Sequence, residues 1–67
     1  MILYDPLWEY MKKNGITQYY LGIHGIGHST ITRLKHNQHV TTETLDRLCD
    51  ILNCRIEDIL VFKKSKK

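Results

Sequence analysis

The sequence predicts an all-α domain of five short helices whose two ends pair as a small two-stranded ribbon. Three observations lead there. Helix start and stop signals alternate along the chain: Asp5-Pro6, Thr17 and Thr41 are starts, and Gly15, Gly25-Ile26-Gly27 and Asn53 are stops. Leu45, Leu48, Cys49 and Leu52 recur at i, i+3, i+4, i+7, the spacing of one buried helix face. The apolar ends, Ile2-Leu3-Tyr4 and Leu60-Val61-Phe62, are β-prone and too short for helices, so they pair with each other or between subunits.

Each element has its own local reason. In the first helix Asp5 caps, Pro6 occupies the first turn, Leu7, Trp8 and Met11 face the core, and Lys12 and Lys13 fall in the last turn. The left-handed conformation that ends it is assigned to Gly15. Thr17 caps a second helix carrying Gln18, Tyr19, Tyr20 and Leu21, with Tyr19 or Tyr20 filling it against the core. Gly22 is expected where two helices approach closely, because a mid-helix glycine costs about 1 kcal/mol against alanine and needs a packing reason. Gly25 supplies a positive φ for a tight turn and Ile26 plugs that turn into the core. A third helix spans about 28–36, starting at His28 or Ser29, with Ile31 and Leu34 inward, and stops in the polar run His36-Asn37-Gln38-His39. Thr41 caps the fourth helix, Glu43 suits its positive end, and Asn53 closes it. A fifth helix through Ile56, Ile59 and Leu60 completes the core.

With 67 residues the chain is one domain, read as 1–62, followed by a basic, disordered tail at 63–67. So small a globule buries about 60% of its unfolded surface, which leaves no walls for a catalytic cleft. Neither catalytic residues nor a cofactor are expected, and the chain is not read as an enzyme. No apolar run approaches the ~20 residues of a membrane span, and the amino terminus lacks the basic region of a signal peptide. Two cysteines without such a signal point to reduced thiols and a cytoplasmic protein. No metal site is expected: Cys49 and Cys54, five apart, fall on different helix faces, Gly-Ile-Gly separates His24 from His28, and His36-x-x-His39 lacks partners. Both cysteines read as core fillers. Gly22-Ile23-His24-Gly25 matches the GxxG loop of KH-type RNA-binding domains, but that loop needs flanking strands and helices stand there instead.

Charge is unevenly placed. The net charge is +3, yet Lys63, Lys64, Lys66 and Lys67 supply four of the ten basic residues, so residues 1–62 carry six basic and seven acidic side chains, net −1. No acid occurs between Glu9 and Glu43, a stretch holding Lys12, Lys13, Arg33, Lys35 and all 4 histidines. Residues 43–58 hold five acids against Arg47 and Arg55, net −3. One half of the domain therefore approaches a polyanion without repulsion. With Ile31 and Leu34 inward, the outer face of the third helix presents His28, Ser29, Thr32, Arg33 and His36, with no carboxylate.

Ile16-Thr17-Gln18 with Leu21, then Gly25-Ile26 followed by Ser29-Thr30-Ile31-Thr32-Arg33-Leu34, then Thr42-Glu43-Thr44-Leu45, Leu48-Cys49-Asp50-Ile51-Leu52-Asn53-Cys54 and Glu57-Asp58-Ile59-Leu60 stand in fixed order. In these residues the chain resembles the Cro and lambda-repressor-like (Xre-type) helix-turn-helix regulators of bacteria and phages, over nearly its whole length. Leu21 to Gly25 is one residue shorter than that family's spacing, so either the second helix is shortened or Tyr20 replaces Leu21 as its anchor. The resemblance implies sequence-specific binding of double-stranded DNA by a transcriptional regulator, a repressor rather than an activator, with the third helix in the major groove. It makes His28, Ser29, Thr32 and Arg33 the base readers: Arg33 through a bidentate bond to guanine, Thr32 through its hydroxyl or only its methyl. Gln18, Lys35, His36, Asn37 and Thr41 are then phosphate contacts. It further implies a homodimer on a two-fold operator. Arg33 has a competing reading as a surface ion pair with an acid of the fourth helix. The competing function is a protein-interaction module, antitoxin-like, with Trp8, Tyr10, Tyr19 and Tyr20 marking its surface. Imidazoles titrate near pH 6.5 in water, so acidification is expected to add up to 4 charges to residues 24–39 and to tighten DNA binding.

Overall fold

The computed structural model describes residues 1–64. Strand β1 (Ile2–Leu3) leads into helices α1 (Asp5–Lys13), α2 (Gln18–Ile23), α3 (His28–Lys35) and α4 (Thr42–Leu52), a 3-10 turn (Ile56–Asp58) and strand β2 (Val61–Phe62). The two strands pair antiparallel within the chain, Ile2 opposite Phe62 and Leu3 opposite Val61. The pairing runs one step further: the Lys63 N–H donates to the Met1 carbonyl at 2.7 Å, and the Met1 ammonium donates to the Lys63 carbonyl at 2.8 Å. Of the basic stretch 63–67, the last three residues lie outside the described range.

The core is built from one fully buried aliphatic side chain per helix, Leu7, Leu21, Leu34 and Leu48, joined by Ile59 just after the 3-10 turn. Tyr4, Met11, Ile26, Ile31 and Leu52 complete it, and no polar or charged residue among those described is buried. Leu45 and Cys49 flank the α4 stripe half-buried, and Trp8 lies half-buried over the core.

All four α-helices stop in the same way. A residue of positive φ follows each one (Gly15 at 68°, Gly25 at 103°, Asn37 at 56°, Asn53 at 53°). The next N–H then bonds back five residues: Ile16 to Met11 at 2.8 Å, Ile26 to Leu21 at 3.0 Å, Gln38 to Arg33 at 2.8 Å and Cys54 to Cys49 at 3.1 Å. This Schellman closure satisfies orphan carbonyls at each helix end and folds the first residue beyond the turn against the last helical turn.

Several expectations are corrected. Tyr4 rather than Asp5 is the residue flanking α1, and no side chain caps that start. Tyr4 is held from outside the helix instead, its N–H donating to Asn37 Oδ1 at 2.9 Å, while Asp5 keeps the first-turn place that the helix dipole favours. Of the two starts open for the third helix, the structure takes His28, one of those expected, with Gly27 flanking it. The fifth helix is a single 3-10 turn, because only Ile56 to Leu60 separate Arg55 from β2; Asp58 Oδ2 caps it by accepting from the Arg55 N–H at 3.1 Å. Ile56 stays 44% exposed, while Ile59 enters the core and Leu60 packs half-buried against it. Neither Tyr19 (76% exposed) nor Tyr20 (39%) fills α2; Leu21 does. Cys49 and Cys54 are not on separate faces: the Schellman closure sets their thiols side by side, and both are free. Burial pushes the Cys54 thiol up to about 11, and Cys49 and Asp58 act in the same direction. Cys49 is also raised by burial, against the lowering effect of its hydrogen bond with Cys54.

Candidate nucleic-acid interface

The two helices that carry the candidate residues meet at a turn with little freedom. Thr17 caps α2, its Oγ1 accepting from the Tyr20 N–H at 3.1 Å. The helix ends after six residues at Ile23, and the Leu21 carbonyl accepts both the His24 N–H (3.1 Å) and the Ile26 N–H (3.0 Å). The short Leu21–Gly25 spacing is thus absorbed by a shortened α2, and Leu21 remains the anchor. Gly25, at φ +103°, adopts a conformation that L side chains rarely take, and a Cβ there would lie 3.5 Å from Arg47 Nη1. Arg47, on the α4 side of the turn, carries no signal in the sequence for that place. Ile26 drops into the core at 3% exposure and fixes the angle between α2 and α3.

The α3 face follows from the burial of Ile31 and Leu34 on its other side. His28, Ser29 and Arg33 are exposed and Thr32 is half-exposed. Thr32 Oγ1 donates to the His28 carbonyl at 3.1 Å, so its hydroxyl proton is spent inside the helix and its methyl and oxygen lone pairs are what it offers outward. The ion pairs among the described residues are Arg47–Glu43 at 4.0 Å and Arg55–Glu57 at 3.8 Å; neither includes Arg33.

The candidate phosphate residues border this face in two groups. Lys35, His36 and Asn37 are exposed at the carboxyl end of α3, and Thr41 is exposed at the start of α4. Asn37 also supports the fold, because its Oδ1 is taken by Tyr4, which leaves its Nδ2 hydrogens as donors. Thr41 Oγ1 accepts from the Thr44 N–H at 3.2 Å and shares a 3.1 Å hydrogen bond with the Thr44 hydroxyl. Gln18 stands apart as the exposed first residue of α2. It shares with His28 an open notch between α2 and α3. Gly22 lines that notch, and a Cβ built on it meets nothing within 4 Å. The close helix approach assigned to Gly22 is therefore not its role. Nor does any local pattern announce that the Tyr20 and His24 rings meet, centroids 4.3 Å apart and planes tilted by 47°.

Among the described residues no group of three or more His, Cys, Asp or Glu is arranged to hold a metal ion, and no helix is long and apolar enough to cross a membrane. A solved structure of the transcriptional regulator VanUg is similar to this chain, with a TM-score of 0.82 and 26% sequence identity over 90% of this chain and 81% of that one. No curated protein matches. The model of the Cro/C1-type helix-turn-helix DNA-binding domain matches residues 6–65. With that model covering 6–65 of 67 residues, the chain belongs to the Cro/C1-type helix-turn-helix DNA-binding domain family.

Proposed function

We propose that the protein is a transcriptional regulator that binds double-stranded DNA sequence-specifically by laying α3 in the major groove, and that it acts in the cytoplasm. The observation that carries this reading is the exposed outer face of α3, which offers Arg33, His28, Ser29 and Thr32 with no carboxylate paired to Arg33 among the described residues. The Arg33 guanidinium reads guanine O6 and N7 in bidentate fashion, His28 and Ser29 reach neighbouring base edges, and the Thr32 methyl meets a thymine methyl. Gln18, Lys35, His36, the Asn37 amide and Thr41 hold phosphates and set the register. A reading face this short gains affinity by pairing two copies on a two-fold operator. Repression suits it better than activation, since steric occupancy of an operator needs no contact beyond DNA.

The test is selection of bound duplexes from a random pool, followed by affinity measurements across a salt series on the selected site and a scrambled one. Arg33→Ala is expected to cost about 1–3 kcal/mol on the selected site and to relax preference at one base pair. Lys35→Ala is expected to weaken both duplexes alike and to reduce the salt slope by about 1. Absence of duplex binding at low salt, or full binding by the His28→Ala, Arg33→Ala double variant, would sink the assignment of α3.

A further inference from the structure

Cys49 and Cys54 meet across the Schellman closure that ends α4. The Cys54 N–H donates to the Cys49 carbonyl at 3.1 Å, and the two thiols share a hydrogen bond. In such a closure the second residue beyond the helix packs on the last helical turn, so the approach of these side chains is built into the backbone. Cys54 has little freedom to leave. Before it, Asn53 holds φ 53° and ψ 53°, and the Leu52 carbonyl accepts from the Tyr10 hydroxyl of α1 at 3.2 Å. After it, the Arg55 N–H is bound to Asp58 Oδ2 at 3.1 Å. Both cysteines are half-buried against the core, and neither belongs to the α3 face.

We infer that Cys49 and Cys54 form a redox pair that closes into an intrachain disulfide when the surrounding small-molecule thiol pool becomes oxidised, fastening the carboxyl end of α4. The oxidant is a low-molecular-weight disulfide of the oxidised glutathione class. One cysteine attacks it as thiolate, the S–S bond of the oxidant breaks, and the thiolate that leaves with the electron pair takes up the proton the cysteine gave up. The other cysteine then attacks the protein sulfur of the mixed disulfide, the Cys49–Cys54 bond forms, and the second small thiol leaves and takes up the second proton. Two electrons thus pass from the protein sulfurs to the oxidant. The second step joins groups already in contact, so the mixed disulfide does not accumulate. Charge selects this product. Burial favours the protonated thiols, and Asp46 and Asp50 of α4 and Asp58 of the 3-10 turn act in the same direction on Cys49. A disulfide is neutral and meets no repulsion there. A structural zinc would need four ligands, and among the described residues no group of three or more His, Cys, Asp or Glu is arranged to hold one. The same raised thiols keep thiolate scarce near pH 7, so closure is slow, and they leave poorly, so the bond resists reduction once made. A reducing pool keeps both as free thiols. The inference does not depend on the DNA-binding reading of α3.

The full chain is equilibrated with mixtures of reduced and oxidised glutathione at pH 8, quenched in acid, alkylated, and measured by mass spectrometry as the intact chain. The expected product is about 2 mass units lighter than the reduced chain, takes up no alkylating group, and regains the reduced mass with a dithiol reductant. Cys49→Ser and Cys54→Ser should each stop at a single glutathione adduct. The oxidised chain should melt about 5 °C or more above the reduced one, because the bond restricts the unfolded chain and fits the closure the fold already holds. At one glutathione mixture, the disulfide equilibrium should favour the folded chain about tenfold over the chain unfolded in urea. A wild-type chain that stops at an adduct, or that links to a second copy, would show that the thiols do not meet, and overturns the inference. An oxidised chain that melts below the reduced one also overturns it, since the bond would then form only by pulling the closure apart. Equal disulfide in the folded and urea-unfolded chains would mean that nearness in sequence is enough, and the inference falls.

Discussion

Thr32 shows how a single hydrogen bond narrows a role. The hydroxyl proton goes to the His28 carbonyl, so the side chain cannot also donate it to a base. Thr32→Val keeps shape and methyl, and is expected to hold affinity for the selected site within about twofold. Thr32→Ser keeps the bond, loses the methyl, and is expected to cost about 1 kcal/mol if a thymine methyl is the partner. Paired titrations decide between the hydroxyl and the methyl, which the sequence alone leaves open. Gly25 is constrained in a different way. A side chain there must adopt φ near +103° and stand 3.5 Å from the Arg47 guanidinium. Gly25→Ala is therefore expected to lower stability by about 1–2 kcal/mol in a denaturant melt. The need for glycine at this turn is legible in the sequence; Arg47 is not, because its proximity comes from packing α4 across the turn, a contact that no local pattern encodes.

At the scale of the element, the four Schellman closures separate what local sequence shows from what it hides. Gly15, Gly25 and Asn53 are readable as stops, since each is a residue that tolerates the left-handed conformation. The consequence of the closure at Asn53 is not readable in the same way: a count of five residues puts Cys49 and Cys54 on different faces only while the helix continues, and the helix ends between them. Asn37 and Asn53 share a backbone conformation but differ in what their side chains hold. Asn53→Gly is expected to raise stability by about 0.5–1 kcal/mol, as glycine takes positive φ without cost. Asn37→Gly is expected to lower it by about 1–3 kcal/mol, because the Tyr4 N–H loses its partner. Opposite signs in the two melts would confirm the distinction. The thiols behind Asn53 give a pH dependence. Cys54 ordinarily ionises near 9 and is pushed up to about 11 by burial, so the fold favours its protonated form. That contribution is complete below about pH 9 and is lost as pH rises through 11. Melting temperature should fall across that window, in company with the raised Tyr4 phenol, and Cys54→Ala should flatten the fall.

For the whole molecule, the helices, their order, the ribbon and the α3 face are legible because each rests on local pattern: capping threonines, apolar spacing, β-prone ends. The 3-10 turn is not, since its length is set by where β2 must begin, and the notch is not, since it lies between two helices. Net charge is a property of the same scale. All 4 histidines are exposed and lie in the acid-free half. Titrations at fixed salt should therefore show tighter duplex binding at about pH 5.5 than at pH 8, and equal affinity at both would mean that the imidazoles do not face DNA.

The bonds between Met1 and Lys63 fasten the two ends of the described chain side by side. A loop of a few residues would then suffice to fuse them, and fresh ends could be opened elsewhere, at the exposed Gln38 for instance, without unseating a core leucine. Such a circular permutant should melt cooperatively, and segments that leave the chain at Met1 and at Lys63 start from one spot on the surface.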